Sequence, residues 1–310
     1  MKIVAFAGGV GGAKLADGLA MVLPVTDLTV IVNTGDDFKH WGLQICPDLD
    51  TVCYTLAGIA NPQTGWGRID ESWIVLDQIK NLGGKSWFSI GDRDLATHIR
   101  RSELLHKGLK LSEITREFCR SWGVYVNVIP MTDDCVATVV HTKSGEKLAF
   151  QEYFVHQQCA PEVAGFSFEG VEQAKPAGGV LEAIRTADAV VFCPSNPWVS
   201  IQPILSLAGI SEELKKKQVL AVSPIVGGAA IKGPAAKMYR ELGFIPSSQA
   251  VAETYKGCIS SFVIDNCDSS QASQINAWGI MTLITDTIMR DRSDRKRLAG
   301  EILQFLMSMP

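Results

Sequence analysis

Apolar positions near the N-terminus follow two spacings in turn. Residues 2–7 form an apolar run closed by glycines, and in residues 12–20 the apolar positions recur with helical spacing. Strand, tight turn and helix are predicted. A second β-branched run at 28–33 follows a short link and ends in Thr34-Gly35-Asp36-Asp37, a loop of turn formers. Two parallel strands joined by a crossover helix bury their sheet on both faces, so the opening βαβ unit predicts the α/β class and argues against a sandwich.

From residue 49 to about 121 the spacing turns helical, with helices predicted at 51–59, 71–82, 95–107 and 112–122. Four of the seven tryptophans, Trp66, Trp73, Trp87 and Trp122, lie there. Strand signals return at 125–129, 138–142, 147–151, 189–193, 218–222 and 261–264, with helices near 179–186, 201–205, 211–216 and 235–242. The expected organisation is a mostly parallel α/β core from residues 1–48 and 123–310, with helices on both faces. A mainly helical insertion, 49–122, lies over the sheet edge. The last helix, near 291–307, is charged on one side and apolar on the other, as a capping helix or a dimer face is.

Composition narrows the classes. Of 310 residues 46% are hydrophobic and 20% charged, as expected of a soluble globular chain with a large core. The net charge of −4 excludes a polyanion binder held by long-range charge, so no nucleic-acid partner is expected and any phosphate must be gripped locally. The longest apolar stretch, 3–13, contains four glycines, is too short to cross a bilayer and lacks a basic lead-in. A cytoplasmic protein without a membrane partner is expected. Eight cysteines with no C-x-x-C pair fit reduced, mostly buried thiols and disfavour zinc.

Candidate chemistry sits where strands hand over to helices. Residues 7–14, AGGVGGAK, place amides and a helix dipole where a phosphate binds, or merely permit a tight turn. This is not a Walker loop, because Lys14 is followed by Leu15. Asp36 and Asp37, then Asp48 and Asp50, offer hard oxygens for Mg²⁺ beside that loop, or act as turn residues and a helix cap. In GDRDLATH (91–98), Arg93 can hold a phosphate and His98 offers an imidazole for proton transfer or binding. Alternatively Asp92 is an N-cap, and Asp94 with His98 an i,i+4 pair on a solvated face. PSNP (194–197) and SPIVGG (223–228), with Lys232, form polar elbows after two strands, suited to a base, ribose or second phosphate, or to structural turns alone.

The set GGVGGAKLADGL, NTGDD, CPDLDTVCYTLAG, GWG, GDRDLATH, PMTDD, PSNP, SPIVGG and KGPA, in this order over nearly the whole chain, resembles the phospholactate transferase family of deazaflavin coenzyme F420 biosynthesis. The resemblance implies a Rossmann-like core, a helical accessory region contributing to the substrate cleft, and a homodimer. It implies Mg²⁺-dependent transfer of a phospho-three-carbon acid from a guanosine diphosphate donor to the ribityl hydroxyl of the deazaflavin Fo, with release of GMP. Gly8, Gly9, Gly11, Gly12 and Lys14 are then assigned to the diphosphate, and Asp36, Asp37 and Asp50 to the metal. Asp50, Asp48 and Arg93 are the catalytic candidates, with Asp50→Asn expected to slow turnover and leave the fold intact. Ser89, Asp92 and His98 fall to substrate binding, with Ser89 standing where the family can carry a lysine that helps bind Fo. Ser195, Asn196, Ser223, Gly227, Gly228 and Lys232 face the guanosine side. The runner-up is a nucleotide- or nucleotide-sugar-binding regulatory protein similar to the gluconeogenesis-factor family. A nicotinamide dehydrogenase ranks last, because Asn33 stands where the ribose-binding acid is expected.

Overall fold

The first apolar run pairs on both sides, which is why it reads as unbroken Ile, Val, Ala and Phe. The computed structural model describes residues 1–309. Seven strands, β1 (Ile3–Ala7), β2 (Leu28–Val32), β3 (Asn127–Pro130), β4 (Ala189–Phe192), β5 (Gln218–Val222), β6 (Ser261–Asp265) and β7 (Met281–Thr285), form one sheet in the order β7-β6-β5-β4-β1-β2-β3. Every neighbouring pair is parallel, with Ile3 opposite both Leu28 and Ala189. The chain steps outward from β1 to β3, then returns to the other side of β1 and steps outward to β7. This is the doubly wound, Rossmann-like order, and its direction reverses between β1 and β4, where such sheets bind ligands beyond their strand ends.

Alternate residues of β1 serve the two faces. Ile3, Ala5 and Ala7 face a core shared with α1 (Gly9–Val22), α2 (Pro47–Leu56) and the C-terminal helix. Val4 and Phe6 face the other core, where Phe6 stacks on Phe192 at 5.2 Å. After α2 come α3 (Ile74–Asn81), α4 (Asp92–His106) and α5 (Leu111–Ser121) before the chain re-enters the sheet at β3.

Several boundaries differ from expectation for physical reasons. Helix α2 starts at Pro47 and not near residue 51, since proline's fixed φ suits a first helical position. Asp48 and Asp50 therefore lie in its first turn. The strands expected at 138–142 and 147–151 do not join the parallel sheet. Ala137–Thr142 pairs with both Lys147–Ala149 and Val163–Glu169 in a separate three-stranded antiparallel sheet. Edge strand β7 was not anticipated, because none of its residues is fully buried and the apolar signal is weak. All eight cysteines are free, and Cys46, Cys53, Cys119 and Cys193 are the buried ones, half the set rather than most of it. Among the described residues no helix is long and apolar enough to cross a membrane.

The last helix, α6 (Arg292–Ser308), is capped by the Asp291 carboxylate, which accepts from Asp294 N–H at 2.9 Å. It buries Leu298, Ala299, Ile302, Leu303 and Leu306 in the core that holds Leu15 and Leu19, so this apolar face caps the protein's own α1. The helices meet at Gly18, where a Cβ would fall 2.2 Å from the Arg295 carbonyl oxygen. Gly18→Ala must push α6 away, a strain of about 1–3 kcal/mol. Urea unfolding checks this: a midpoint equal to wild type would show that the two helices can part freely.

Candidate functional site

Backbone closeness builds the site. A cavity of about 570 Å³ opens beyond the strand ends, and Gly8, Gly9, Gly11, Lys14, Asp36, Asp48, Asp50, Ser89, His98, Ser195, Asn196, Ser223 and Lys232 all line it. A Cβ at Gly11 would fall 2.3 Å from the Pro194 carbonyl oxygen, and one at Gly8 would fall 2.4 Å from Asp48 Oδ2. The Ser195 hydroxyl accepts from Gly8 N–H at 3.0 Å and donates to Gly8 C=O at 2.8 Å, tying the loops after β1 and β4 together. Gly9 takes a left-handed φ of 61°. Gly8 as N-cap brings no side-chain acceptor, so the positive end of the α1 dipole faces the cavity. Gly12 lies behind this surface, packed on Ala7 and Ser195.

Asp48 does not cap its own helix. Its Oδ1 accepts from Gly9 N–H at 2.7 Å, and its Oδ2 accepts from Asn33 Nδ2 at 2.9 Å. The same Nδ2 donates to Asp36 Oδ1, so two buried carboxylates meet at one amide. Burial pushes the Asp48 carboxyl up to about 6, against hydrogen bonds from Asn33, Gly9 and Ser200. Burial, then the charges of Asp48 and Asp37, hold Asp36 well above the usual carboxylate range. Burial does the same to Asp37, which does not line the cavity. Among the described residues no Lys, Arg or His comes within ion-pair distance of Asp36 or Asp48. Thr34 Oγ1 and Asp37 Oδ1 are buried without a hydrogen-bond partner. Hard, uncompensated oxygens of this kind fit a divalent cation such as Mg²⁺.

Asp50 is compensated already. Arg101, 2% exposed, donates to both its oxygens, through NH1 to Oδ2 at 3.0 Å and through NH2 to Oδ1. NH1 also donates to His98 Nδ1 at 3.2 Å, and the guanidinium lies 5.9 Å from the Phe118 ring centre. His98 Nε2 stands 3.3 Å from Asp94 Oδ2, while Tyr54 donates to Asp94 Oδ1 at 2.7 Å. Asp50, Asp94 and His98 offer metal-capable atoms within 4.8 Å of one another, but Arg101 already supplies the positive charge there. The i,i+4 pair expected on a solvated face is buried instead, with His98 1% exposed.

The remaining candidates divide. Lys14 donates to Met289 C=O at 2.7 Å, and its pKa is lowered by burial, then by Arg295 and Lys232. Lys232 donates to Thr64 C=O across the cavity mouth. Asn196 caps the turn Pro197–Ile201, accepting from Trp198 N–H at 3.0 Å. Ser223 donates to Ile225 C=O at 2.7 Å. Gly227 and Gly228 do not line the cavity; both have positive φ in the hairpin joining Ile225–Val226 to Ala229–Ala230. Asp92 and Arg93 also lie outside the lining. Asp92 accepts from Ile74 and Val75 N–H at 3.0 Å each, so it caps α3 and not its own helix, and the exposed Arg93 guanidinium reaches Asp70 at 4.0 Å. Residues not anticipated at the site include Tyr54, Asp94 and Ser200, an aromatic wall of Trp66, Phe88, Phe150 and Phe154, and Arg101, which holds Asp50 from outside the lining. Asp94 and Arg101 were legible in principle: with His98 they lie three and four apart on one face of α4.

Two outcomes follow for the ligand-free chain. The raised Asp48 carboxyl favours folding only while protonated, so its contribution is complete at low pH and disappears as pH rises through about 6. Urea midpoints in chelator should fall from about pH 4 to about pH 8, and Asp36→Asn should be more stable than wild type at the upper end. A flat profile would refute the uncompensated pair. Asp50→Asn should lose about 3–5 kcal/mol by leaving Arg101 buried without its anion, which revises the expectation of an intact fold; an unchanged midpoint would show the pair to be neutral.

Comparison with known proteins agrees with this architecture. The chain is 43% identical over 311 residues to a phosphoenolpyruvate transferase of Streptomyces griseus, covering 98% of each. It is 40% identical over 307 residues to a 2-phospho-L-lactate transferase of Methanococcoides burtonii, covering 99% of this chain and 100% of that one. A Bacillus halodurans crystal structure described as a member of the UPF0052 family superposes with a TM-score of 0.64 over 97% of this chain, and at 16% identity it shows a shared fold. The family model described as 2-phospho-L-lactate transferase CofD matches residues 3–294, and the chain belongs to that family.

Proposed function

We propose that this chain transfers a phosphorylated three-carbon acid from a guanosine diphosphate ester to the ribityl hydroxyl of the deazaflavin Fo, releasing GMP. The observation that carries it is the uncompensated pair Asp36 and Asp48, set beside the amide end of α1. Phosphate and carboxylate repel each other, so a diphosphate seated on those amides needs a cation between them. Mg²⁺ held by Asp36 and Asp48 would neutralise charge on the diphosphate. Lys14, Ser195 and Asn196 hold the guanosine diphosphate end, and the wall of Phe88, Phe150, Phe154 and Trp66 offers flat apolar surface for a tricyclic ring.

Attack by a primary hydroxyl on phosphorus demands alignment and charge neutralisation more than covalent help. Asp50, held by Arg101, lines the same cavity, and its fixed carboxylate orients the hydroxyl. Relatives are named both phosphoenolpyruvate transferase and 2-phospho-L-lactate transferase, so both guanylated donors belong in the assay.

GMP release from either donor, dependent on both Fo and Mg²⁺, is the expected result. No release with either donor would refute the transfer. Lys14→Ala removes a cation from the diphosphate end and should weaken GDP about tenfold or more. Calorimetry returning the wild-type constant would move the diphosphate elsewhere.

A further inference from the structure

Asn33 directly follows β2, at the place where dinucleotide-binding folds with this strand order carry the acid that holds a ribose. Its surroundings are built for something else. The residue is fully buried, its backbone N–H donates to Ala7 C=O at 3.0 Å, and its side-chain Oδ1 accepts from Gly35 N–H at 2.8 Å. Those bonds fix which way the amide faces. Nδ2 is thereby aimed at Asp36 Oδ1, Asp48 Oδ2 at 2.9 Å and Val199 C=O at 3.2 Å. An amide nitrogen carries two hydrogens, so it cannot satisfy three acceptors at once. Being neutral, it also gathers two carboxylates without cancelling their charge.

We propose that Asn33 is a positioning residue that gathers Asp36 and Asp48 into one site for a hard divalent cation, at the place where dinucleotide-binding folds make a ribose contact. This inference rests on the cation reading above. An acid at position 33 would add a third negative charge and lose the donor. A small apolar residue would leave the two carboxylates free to swing apart. Asparagine supplies a donor, no charge, and an orientation locked by the Gly35 amide. Asn33 touches the cation's ligands and not the reacting atoms, so its effect falls on cation affinity before chemistry.

The test titrates the full chain, without substrates, with Mg²⁺ alone by calorimetry, and records melting temperatures in chelator and in Mg²⁺. Wild type should bind, and Asn33→Ala should bind about tenfold or more weakly, with kcat recovering at saturating Mg²⁺ while the activating concentration rises. Asn33→Asp keeps the shape and adds charge. It should melt lower than wild type in chelator and gain more from Mg²⁺ than wild type does. Wild type that neither binds Mg²⁺ nor melts higher in it would overturn the cation reading, and this inference with it. Wild-type binding matched by Asn33→Ala overturns the role of Asn33 alone. If Asn33→Ala does not fold, Asn33→Asp decides: equal losses with and without Mg²⁺ mean a packing role only and overturn the proposal.

Discussion

Two backbones touch at the head of the sheet, and the chemistry of the protein is arranged around that contact. The loops leaving β1 and β4 must diverge because the sheet reverses its direction of winding between them. Here they are drawn together: Gly11 leaves room for the Pro194 carbonyl, and Ser195 bonds both polar atoms of Gly8. Only with side chains absent at positions 8 and 11 can α2 bring Asp48 onto the same turn. A dipole end, a carboxylate and a serine then share a space that bulkier residues would have filled.

The acids around this space are of two electrostatic kinds. Asp50 is neutralised from within by Arg101, so it fastens α2 to α4 and holds still. Asp36 and Asp48 are gathered by a neutral amide and carry their repulsion unrelieved. The first arrangement favours a fixed shape, whereas the second stores instability that a bound cation would relieve. Keeping such a pair costs stability and is tolerated where binding depends on it.

Much of this was legible from the residues. The opening strand, glycine turn and helix follow from periodicity and breakers, and the elbow at 194–197 follows from prolines on either side of Ser195 and Asn196. Position along the strands was enough to place Gly8, Asp36, Ser195 and Ser223 at one edge. Less legible was burial of charge. Arg101 and His98 look like surface residues of α4 until a partner, Asp50, arrives from a helix about fifty residues earlier. Arg93, by contrast, has the right chemistry on the wrong face of the same helix. The antiparallel sheet at 137–169 escaped because alternation marks a strand without saying which sheet receives it.

The pairing of α1 with α6 joins the first helix made to the last. Until residues 292–308 have been made, the apolar residues of α1 are covered only in part, by β1 and α2. Domains that fold during synthesis usually settle from the N-terminal end. Here the core that holds Leu15 and Leu19 is completed only by residues 292–308, so a chain lacking them would leave part of that core open to water.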